Sequence, residues 1–201
     1  DEDEDEVVQC NAVGCVGGDP PNYNAAMKSP QADKWKIGIE TELKRLRDNR
    51  TWIVVDKPDQ VKPLQSRLFV FKLKLDADGG LERYKARLVA RGDQQVEGIN
   101  YKETFSPVMD MATARVIFAF GVIWNNPPRH GDIPVAYTRA SPEENLEIYM
   151  YPPQGMKLTA EELKSGGRKP VLKLMKNIYG LKQAGRLWNQ MLDDKLREMK
   201  F

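Results

Sequence analysis

The chain has 201 residues, of which 41% are hydrophobic and 30% are charged, and this balance supports a folded core and excludes wholesale disorder. The formal net charge of +2 conceals an asymmetry, because Asp1 to Glu6 are all acidic and the remaining residues therefore carry +8. A basic excess of this size suits a polyanionic partner such as nucleic acid, although ordinary solvated surface charge explains it equally well.

Cysteine and histidine are too scarce for a metal or disulfide framework. The two cysteines, Cys10 and Cys15, lie far in sequence from the single histidine, His130, so we expect neither a structural zinc site nor disulfides. The longest apolar run, Val116 to Trp124, is too short to span a bilayer, and we find no signal-peptide pattern. We therefore expect an intracellular, cytoplasmic protein with no membrane partner.

Residues 1–28 are predicted to be a disordered linker. Their acidic run is followed by Gly17-Gly18-Asp19-Pro20-Pro21, and like charges followed by Gly and Pro cannot nucleate packing. Folded structure is predicted to begin at Ser29-Pro30, which resembles a helix N-cap with proline at the first helical position. This helix should end near Asp48-Asn49, and one of its faces is apolar: Trp35, Ile39, Leu43 and Leu46.

A β-rich section is predicted next. After a short strand at 51–55, two longer strands, Arg67 to Leu75 and Leu81 to Arg91, flank an Asp78-Gly79 step that is a strong hairpin signal. Because side chains alternate along a strand, one face of this hairpin is apolar and the other is basic. The basic side chains, which could hold a triphosphate or a template backbone, are Lys72, Lys74, Lys85, Arg87 and Arg91. The pattern alone slightly favours the simpler interpretation, a hairpin whose outer face is merely soluble.

Helices and strands alternate in the rest of the chain, which indicates an α+β or α/β unit. The predicted elements are a core helix at 113–124, strands at 132–137, 147–150 and 171–175, a weak helix at 159–164 and a final helix at 182–199.

Two further segments could carry chemistry. Asp132 begins an otherwise apolar strand, and a buried carboxylate there would need a cation or a hydrogen-bond partner. The segment from Asn177 to Gly185 enters the last helix, and its Gly180 permits a close approach of the backbone to a phosphate. A turn or capping role is the more common explanation for each segment.

The order of these blocks along the chain is more specific than any one of them. Residues 25–201 closely resemble the start of the reverse transcriptase domain of copia-type retrotransposons. The blocks that carry the resemblance are Asn49-Arg-Thr-Trp52, Arg83-Tyr-Lys-Ala-Arg-Leu-Val-Ala-Arg-Gly92, Tyr101-Lys-Glu-Thr-Phe-Ser-Pro-Val108, Thr113-Ala-Arg115, Glu147-Ile-Tyr-Met150, Pro153-Gln-Gly155 and Tyr179-Gly-Leu-Lys-Gln183 with Trp188.

The resemblance implies an α+β fold, with the fingers and part of the palm of a right-hand polymerase in residues 29–201 and an incomplete palm sheet. Residues 51–92 then resemble the fingers hairpin, and Asp132 matches the first metal-binding aspartate, with the Ile133 carbonyl as an extra ligand. Tyr137 falls at the position that excludes a ribose 2′-hydroxyl. The residues implied to contact the nucleotide are Lys72, Lys74, Lys85, Arg87, Tyr137, Gly180, Lys182 and Gln183.

One aspartate does not complete the site that the resemblance implies. Nucleotidyl transfer uses two Mg²⁺ ions about 4 Å apart, and the family supplies the other carboxylates from a Tyr-x-Asp-Asp hairpin that this sequence lacks. Asp193-Asp194 is not a substitute, because successive residues of a helix diverge by about 100°. Pro134 is a further departure, since proline removes a donor from a strand.

The resemblance implies RNA-directed DNA synthesis by the intact protein, with Mg²⁺ as cofactor and an RNA or DNA template-primer and a deoxynucleoside triphosphate as partners. We expect the chain alone to be an inactive fragment of a retrotransposon polyprotein, whose active form would work in a virus-like particle. One alternative is a non-catalytic nucleic-acid-binding module that keeps the basic hairpin face. A less favoured one is a polymerase whose missing aspartates come from another chain. An unfinished palm sheet would expose apolar edges, so we also expect poor solubility.

Overall fold

The computed structural model of the chain describes residues 18–129 and 131–200. The mixture of helices and strands agrees with the α+β class. In chain order the elements are α1 (Tyr23–Lys28), α2 (Ala32–Asp48), β1 (Trp52–Asp56), β2 (Ser66–Leu75), β3 (Leu81–Ala90), α3 (Met111–Ile123), β4 (Tyr149–Met150), α4 (Ala160–Ser165), β5 (Pro170–Leu174) and α5 (Ala184–Glu198), with 3-10 turns at Gly92–Gln94 and Ala136–Arg139.

The strands form two separate antiparallel sheets. One has the order β1-β5-β4, and its register places Trp52 opposite Leu174 and Tyr149 opposite Lys173. The other is the β2–β3 hairpin. The sequence therefore predicted these strands correctly, within a few residues at their ends.

Helix α2 packs the hairpin onto the core through its apolar stripe. All four predicted side chains of that stripe are buried, and the Trp35 ring meets Phe71 and Tyr84 edge-on at centroid distances of 5.1 Å and 4.7 Å. Gly38 occupies the point of closest approach, where a Cβ atom would lie 2.8 Å from the carbonyl oxygen of Tyr84. Glycine costs a helix about 1 kcal/mol relative to alanine, and here it allows α2 to lie directly against β3.

The hairpin turn and the alternation of side chains between its two faces follow the sequence prediction. The Asp76 carboxylate accepts hydrogen bonds from the N–H groups of Asp78 (3.0 Å) and Gly80 (2.7 Å), while Gly79 adopts a φ of 81°. Phe71 pairs with Ala86 on the buried face. Lys72, Lys74, Lys85 and Arg87 alternate with these buried residues and so share the opposite face. Arg91, predicted to belong to the same face, lies beyond the end of β3 and pairs with Asp93.

The base of the hairpin is fixed to the entry of α5. The Ala90 N–H donates to the Tyr179 carbonyl at 2.8 Å. A Cβ atom at Gly180 would lie 2.2 Å from the Ala90 carbonyl oxygen, and one at Gly92 would lie 2.0 Å from that of Gly180. Only glycine fits at positions 92 and 180 as the backbones lie, so the two segments meet in direct main-chain contact.

Part of the predicted linker is helical. Asn22 caps α1 by accepting a hydrogen bond from the Ala25 N–H at 2.9 Å, and Ala26 is fully buried. Ser29 ends α1 rather than starting α2, since its hydroxyl donates to the Ala26 carbonyl at 2.8 Å. The structure thus begins earlier than predicted because local capping and one buried side chain stabilise a short helix. Residues 1–17 lie outside the described residues.

Helix α3 forms where it was predicted, but it is not a core helix. None of its residues is buried, and Phe118 and Val122 are 59% and 82% exposed. An apolar sequence indicates that a helix is suited to packing against another apolar surface. None of the described elements packs over α3 in this way. The prediction of the helix is confirmed and the prediction of its burial is wrong.

The predicted strand at 132–137 is absent. Residues 131–135 form an irregular loop, and Ala136–Arg139 forms a 3-10 turn. Pro134 has no N–H to donate, and Val135 has a φ of 58°, in the left-handed region that strands do not use.

In the described ranges, no helix is both long and apolar enough to cross a membrane.

Candidate nucleotide-binding cleft

A cleft of about 770 Å³ opens between α2, β3 and the loop that carries Asp132. Helix α2 contributes one wall, strand β3 a second, residues 132–135 a third, and Tyr179 completes the lining. Five cationic side chains line it: Lys34, Arg45, Arg83, Lys85 and Arg87. The acidic residues in the same lining are Glu42 and Asp132. The excess of cations makes the cleft suited to a polyanion.

The basic hairpin face pairs like charges across its two strands. Lys72 lies opposite Lys85, and Lys74 lies opposite Arg83. Directly opposed like charges destabilise a sheet by several tenths of a kcal/mol, and β2 contains no acidic residue. A face that only needed to be soluble would gain by mixing signs, so this arrangement favours the binding interpretation over the merely soluble one.

The charge of Lys85 is disfavoured in the free protein. Partial burial lowers the pKa of Lys85, and the cations of Arg87, Lys74, Arg83 and Arg45 lower that pKa further. A bound anion would raise the pKa of Lys85 again, because its negative charge attracts the ammonium group and its oxygens accept hydrogen bonds from it. The lowered pKa of Lys85 thus reflects partial burial and the crowding of cations on this part of the hairpin face.

An aromatic contact fixes Arg87 in the cleft wall. The guanidinium carbon of Arg87 lies 4.2 Å from the centroid of the Tyr179 ring. The Tyr179 ring in turn meets Tyr137 at a centroid distance of 5.0 Å and an interplanar angle of 63°. The Nε atom of Arg87 is buried without a hydrogen-bond partner. This contact orients the guanidinium while its N–H groups stay free of protein carboxylates in the described part of the chain.

Two asparagines hold the turn that follows Asp132. The Asn49 side chain donates to the Thr138 carbonyl at 2.8 Å, and the buried Asn177 side chain donates to the carbonyls of Ala140 (3.1 Å) and Ser141 (2.8 Å). These bonds anchor the loop to the end of α2 and to the segment after β5. Asp132 itself is exposed and lines the cleft together with Ile133.

Asp132 and Ile133 do not form a divalent-metal site by themselves. Among residues 18–129 and 131–200, no group of three or more His, Cys, Asp or Glu side chains is placed to hold a metal ion. Asp193 lies on α5 and accepts a hydrogen bond from the Arg197 Nε at 2.8 Å, which suits a surface helix charge. The carboxylates of the described residues thus fall short of what two Mg²⁺ ions require.

The other predicted site residues lie in three different settings. Lys85 and Arg87 line the cleft, and the ring of Tyr137 lies against that of Tyr179, which also lines it. Lys72 and Lys74 lie on the same hairpin face but outside the cleft lining. The remaining three belong to the hairpin–α5 junction: Gly180, Lys182 and Gln183.

At that junction, Gln95 bonds to both Lys182 and Gln183. The Gln95 side chain accepts from the Lys182 N–H at 2.8 Å and donates to the Gln183 side chain at 3.0 Å. Gln183 is fully buried, so in this arrangement its side chain stabilises the junction rather than facing the cleft.

Among the cleft residues, the cations Lys34, Arg45 and Arg83 and the ring of Tyr179 were not identified from the sequence as site residues. Lys34 and Arg45 lie on the polar side of α2, and a charged helix side looks the same whether it meets solvent or a ligand. Tyr179 belongs to the Tyr-Gly-Leu-Lys-Gln block but was given no role. Its membership of that block was the only available signal, because its partner Arg87 is 92 positions away.

Comparison with known proteins agrees with the resemblance. Residues 49–201 match the family model described as reverse transcriptase (RNA-dependent DNA polymerase). The chain is 33% identical over 183 residues to the retrovirus-related Pol polyprotein from transposon TNT 1-94 of Nicotiana tabacum, covering 91% of this chain and 13% of the polyprotein. It is 34% identical over 163 residues to the Pol polyprotein from transposon RE2 of Arabidopsis thaliana, covering 81% and 11%.

The chain is also similar to a shorter protein. An uncharacterized mitochondrial protein of Arabidopsis thaliana is 44% identical over 99 residues, which are 49% of this chain and 56% of that protein. No solved structure matches the chain. The chain spans only about an eighth of the length of the polyproteins that it matches.

Proposed function

Because the chain belongs to the reverse transcriptase (RNA-dependent DNA polymerase) family of copia-type retrotransposons, we propose that it forms the fingers and part of the palm of a right-hand polymerase. In this proposal the cleft binds the phosphates of an incoming deoxynucleotide and of the template during RNA-directed DNA synthesis. The observation that carries it is the row of opposed cations on the β2–β3 hairpin, in which Arg83 is paired with Glu82 and which continues into the cleft at Lys85 and Arg87.

The proposed division of labour follows from side-chain chemistry. Arg87 offers a planar fork that matches two phosphate oxygens, and Lys85 offers a compact charge beside it. Lys72 and Lys74 extend the positive face along the hairpin and suit the more distant backbone phosphates. Tyr137, with Tyr179 against its ring, is the proposed boundary for the sugar.

A divalent metal enters the proposal only through Asp132. Reverse transcriptases in general use divalent metal ions, which activate the primer hydroxyl and neutralise developing charge when bound. Asp132 and the Ile133 carbonyl are the proposed ligands from this chain. The 201 residues contain no Tyr-x-Asp-Asp sequence, so we assign the chain by itself binding of nucleotide and nucleic acid but no chemical step.

Binding to a fluorescent RNA template annealed to a DNA primer tests the proposal. We expect the affinity to fall steeply with salt, because each phosphate contact releases a counterion. The double variant Lys85→Gln/Arg87→Gln should lose about tenfold or more in affinity at low salt. The double variant Lys164→Gln/Arg168→Gln removes the same charge from α4 and the loop that follows it, and should change affinity by less than about twofold. Equal losses in both variants would contradict a specific role for the cleft.

The second candidate function is a non-catalytic nucleic-acid-binding module, which is favoured by the absence of a metal-binding cluster among the described residues. Primer extension on a homopolymer template with Mg²⁺ separates a binding role from catalysis. We expect no synthesis by the 201-residue chain. Synthesis that the Asp132→Asn variant abolishes would show that the chain is a polymerase in its own right.

A further inference from the structure

Tyr179 connects three parts of the cleft that lie far apart in sequence. Its backbone carbonyl accepts a hydrogen bond from the Ala90 N–H at 2.8 Å. Tyr179 and Val89 thereby form an isolated parallel β-bridge at the base of the hairpin. Its ring lies 4.2 Å from the Arg87 guanidinium carbon and 5.0 Å from the Tyr137 ring centroid. Tyr179 therefore contacts a cation of the hairpin and the turn after Asp132 at once.

The ring, rather than the hydroxyl, makes these contacts. The Tyr179 hydroxyl has no hydrogen-bond partner among the described residues, while the ring lines the cleft. An arginine over an aromatic face is attracted to the ring, and the attraction is stronger the further the pair is removed from water. Such a contact also removes rotational freedom from a side chain that would otherwise sample many rotamers.

The Arg87 guanidinium can donate hydrogen bonds to a phosphate, and within the described part of the chain it lacks the hydrogen-bond acceptors that fix a purely structural arginine. No carboxylate or carbonyl of the described residues accepts a hydrogen bond from it, and its Nε atom is buried without a partner. Arg45, by contrast, is already paired with Glu42. Among the cleft arginines, Arg87 is thus held in place by an aromatic ring; its Nε is buried, and its terminal N–H groups have no hydrogen-bond partner among the described residues.

We propose that Tyr179 is a positioning residue that holds the Arg87 guanidinium in the orientation in which it binds phosphate oxygens. The proposal rests on the proposed function, because it assumes that the cleft binds phosphate. It adds Tyr179 to that site and ranks the basic side chains by their contribution to phosphate binding. Arg87 is the principal phosphate ligand, Lys85 is next, and Lys72 and Lys74 are peripheral. The shared ligand chemistry is the phosphate group, which belongs either to a nucleoside triphosphate or to a nucleic-acid backbone.

A double-mutant cycle on the 201-residue chain tests the proposal. Isothermal titration in EDTA measures the Kd of inorganic tripolyphosphate and, separately, of a single-stranded homopolymer oligonucleotide. We expect Tyr179→Leu to weaken binding of at least one probe by about fivefold. Tyr179→Phe should retain wild-type affinity within about twofold, because it keeps the ring.

The Arg87→Gln background separates positioning from a merely structural role. If Tyr179 acts through Arg87, Tyr179→Leu should add less than about twofold there, since coupled residues are not additive. A structural role would give the same loss in both backgrounds and a lower thermal midpoint in both. A loss with tripolyphosphate assigns the triphosphate, and a loss with the oligonucleotide assigns the backbone.

Different results overturn the two proposals. A wild-type chain that binds neither probe at low salt overturns the proposed function and the role of Tyr179 with it. A wild-type chain that binds, with unchanged affinity in Tyr179→Leu or with an undiminished loss in Arg87→Gln, overturns the role of Tyr179 alone.

Discussion

Lys85 shows how a residue proposed to bind phosphate can oppose the stability of its own fold. It faces Lys72 across the hairpin, and burial together with the cations of Arg87, Lys74 and Arg83 lowers its pKa. Each of these interactions disfavours the charged form of Lys85 in the absence of a bound anion. Residues that serve binding commonly carry such a cost, so replacing them can stabilise the free protein.

The variant Lys85→Met should be more stable and should bind more weakly. Removing one of two opposed like charges is worth a few tenths of a kcal/mol, so we expect the thermal midpoint to rise by about 1–2 °C. Affinity for tripolyphosphate should fall severalfold at low salt. Differential scanning fluorimetry and titration measure the two effects. The control Lys164→Met, on exposed α4, should leave affinity unchanged, and a destabilised Lys85→Met would contradict the repulsion.

Phosphate binding should weaken as the pH rises, because Lys85 loses its charge below the ordinary lysine value of 10.5. In the same window the unfolded chain holds more protons than the folded one, so the free energy of unfolding should increase with pH while affinity decreases. Titrations from pH 8 upward measure this. In Lys85→Arg, where the charge persists, the loss of affinity should begin at a higher pH. Identical profiles for both proteins would exclude Lys85 as the titrating group.

At the scale of elements, the junction between the hairpin and α5 depends on two glycines. Gly92 and Gly180 lie where a Cβ atom would collide with backbone oxygens, and Gly180 also has a φ of 89°. Gln95 completes the junction through its bonds to Lys182 and Gln183. Because Tyr179 precedes this contact, the junction places the ring that holds Arg87.

Gly180→Ala should destabilise the fold by about 2 kcal/mol or more, since it combines backbone strain with a clash 2.2 Å from the Ala90 carbonyl. Gly79→Ala is a matched control, because Gly79 has a φ of 81° but nothing within 4 Å of the added atom. Its cost should be only about 1 kcal/mol. Denaturant unfolding compares the two, and equal costs would mean that the backbone contact at Gly180 relaxes freely.

On the scale of the whole molecule, the described residues divide into a packed part and an uncovered part. The packed part joins α2, the hairpin and the three-stranded sheet around Trp35, Phe71 and Leu172. The uncovered part is α3, whose Phe118 and Val122 remain more than half exposed. An exposed apolar surface of this kind promotes association.

We therefore expect the chain to self-associate, with an average mass in sedimentation that rises with concentration. The double variant Phe118→Glu/Val122→Lys should reduce association without lowering the thermal midpoint, because neither side chain is buried. The control Leu163→Glu changes an exposed apolar residue on α4 and should leave association unaltered. A monodisperse wild-type chain at high concentration would contradict this prediction.

Local sequence determined the secondary structure of most of the chain. The stripe from Trp35 to Leu46, the alternation around Phe71 and Ala86, and the Asp76 to Gly80 turn each depend on neighbours within a few positions. The physical rules that relate such spacing to a helix face or a strand face therefore apply directly. The basic hairpin face was predictable for the same reason, whereas its binding of phosphate stays a prediction.

Tertiary structure decided which surfaces are covered and which side chains meet. The exposure of α3 depends on surfaces elsewhere in the molecule. The Asp132 loop has a local contribution from Pro134, which lacks an N–H, but whether the segment pairs as a strand also depends on neighbouring strands that could offer partners to its backbone. The contact between Arg87 and Tyr179 joins residues 92 positions apart, through a junction that the backbones of Ala90 and Gly180 close. Sequence periodicity describes the faces of single elements, whereas contacts across elements follow from how the whole chain packs.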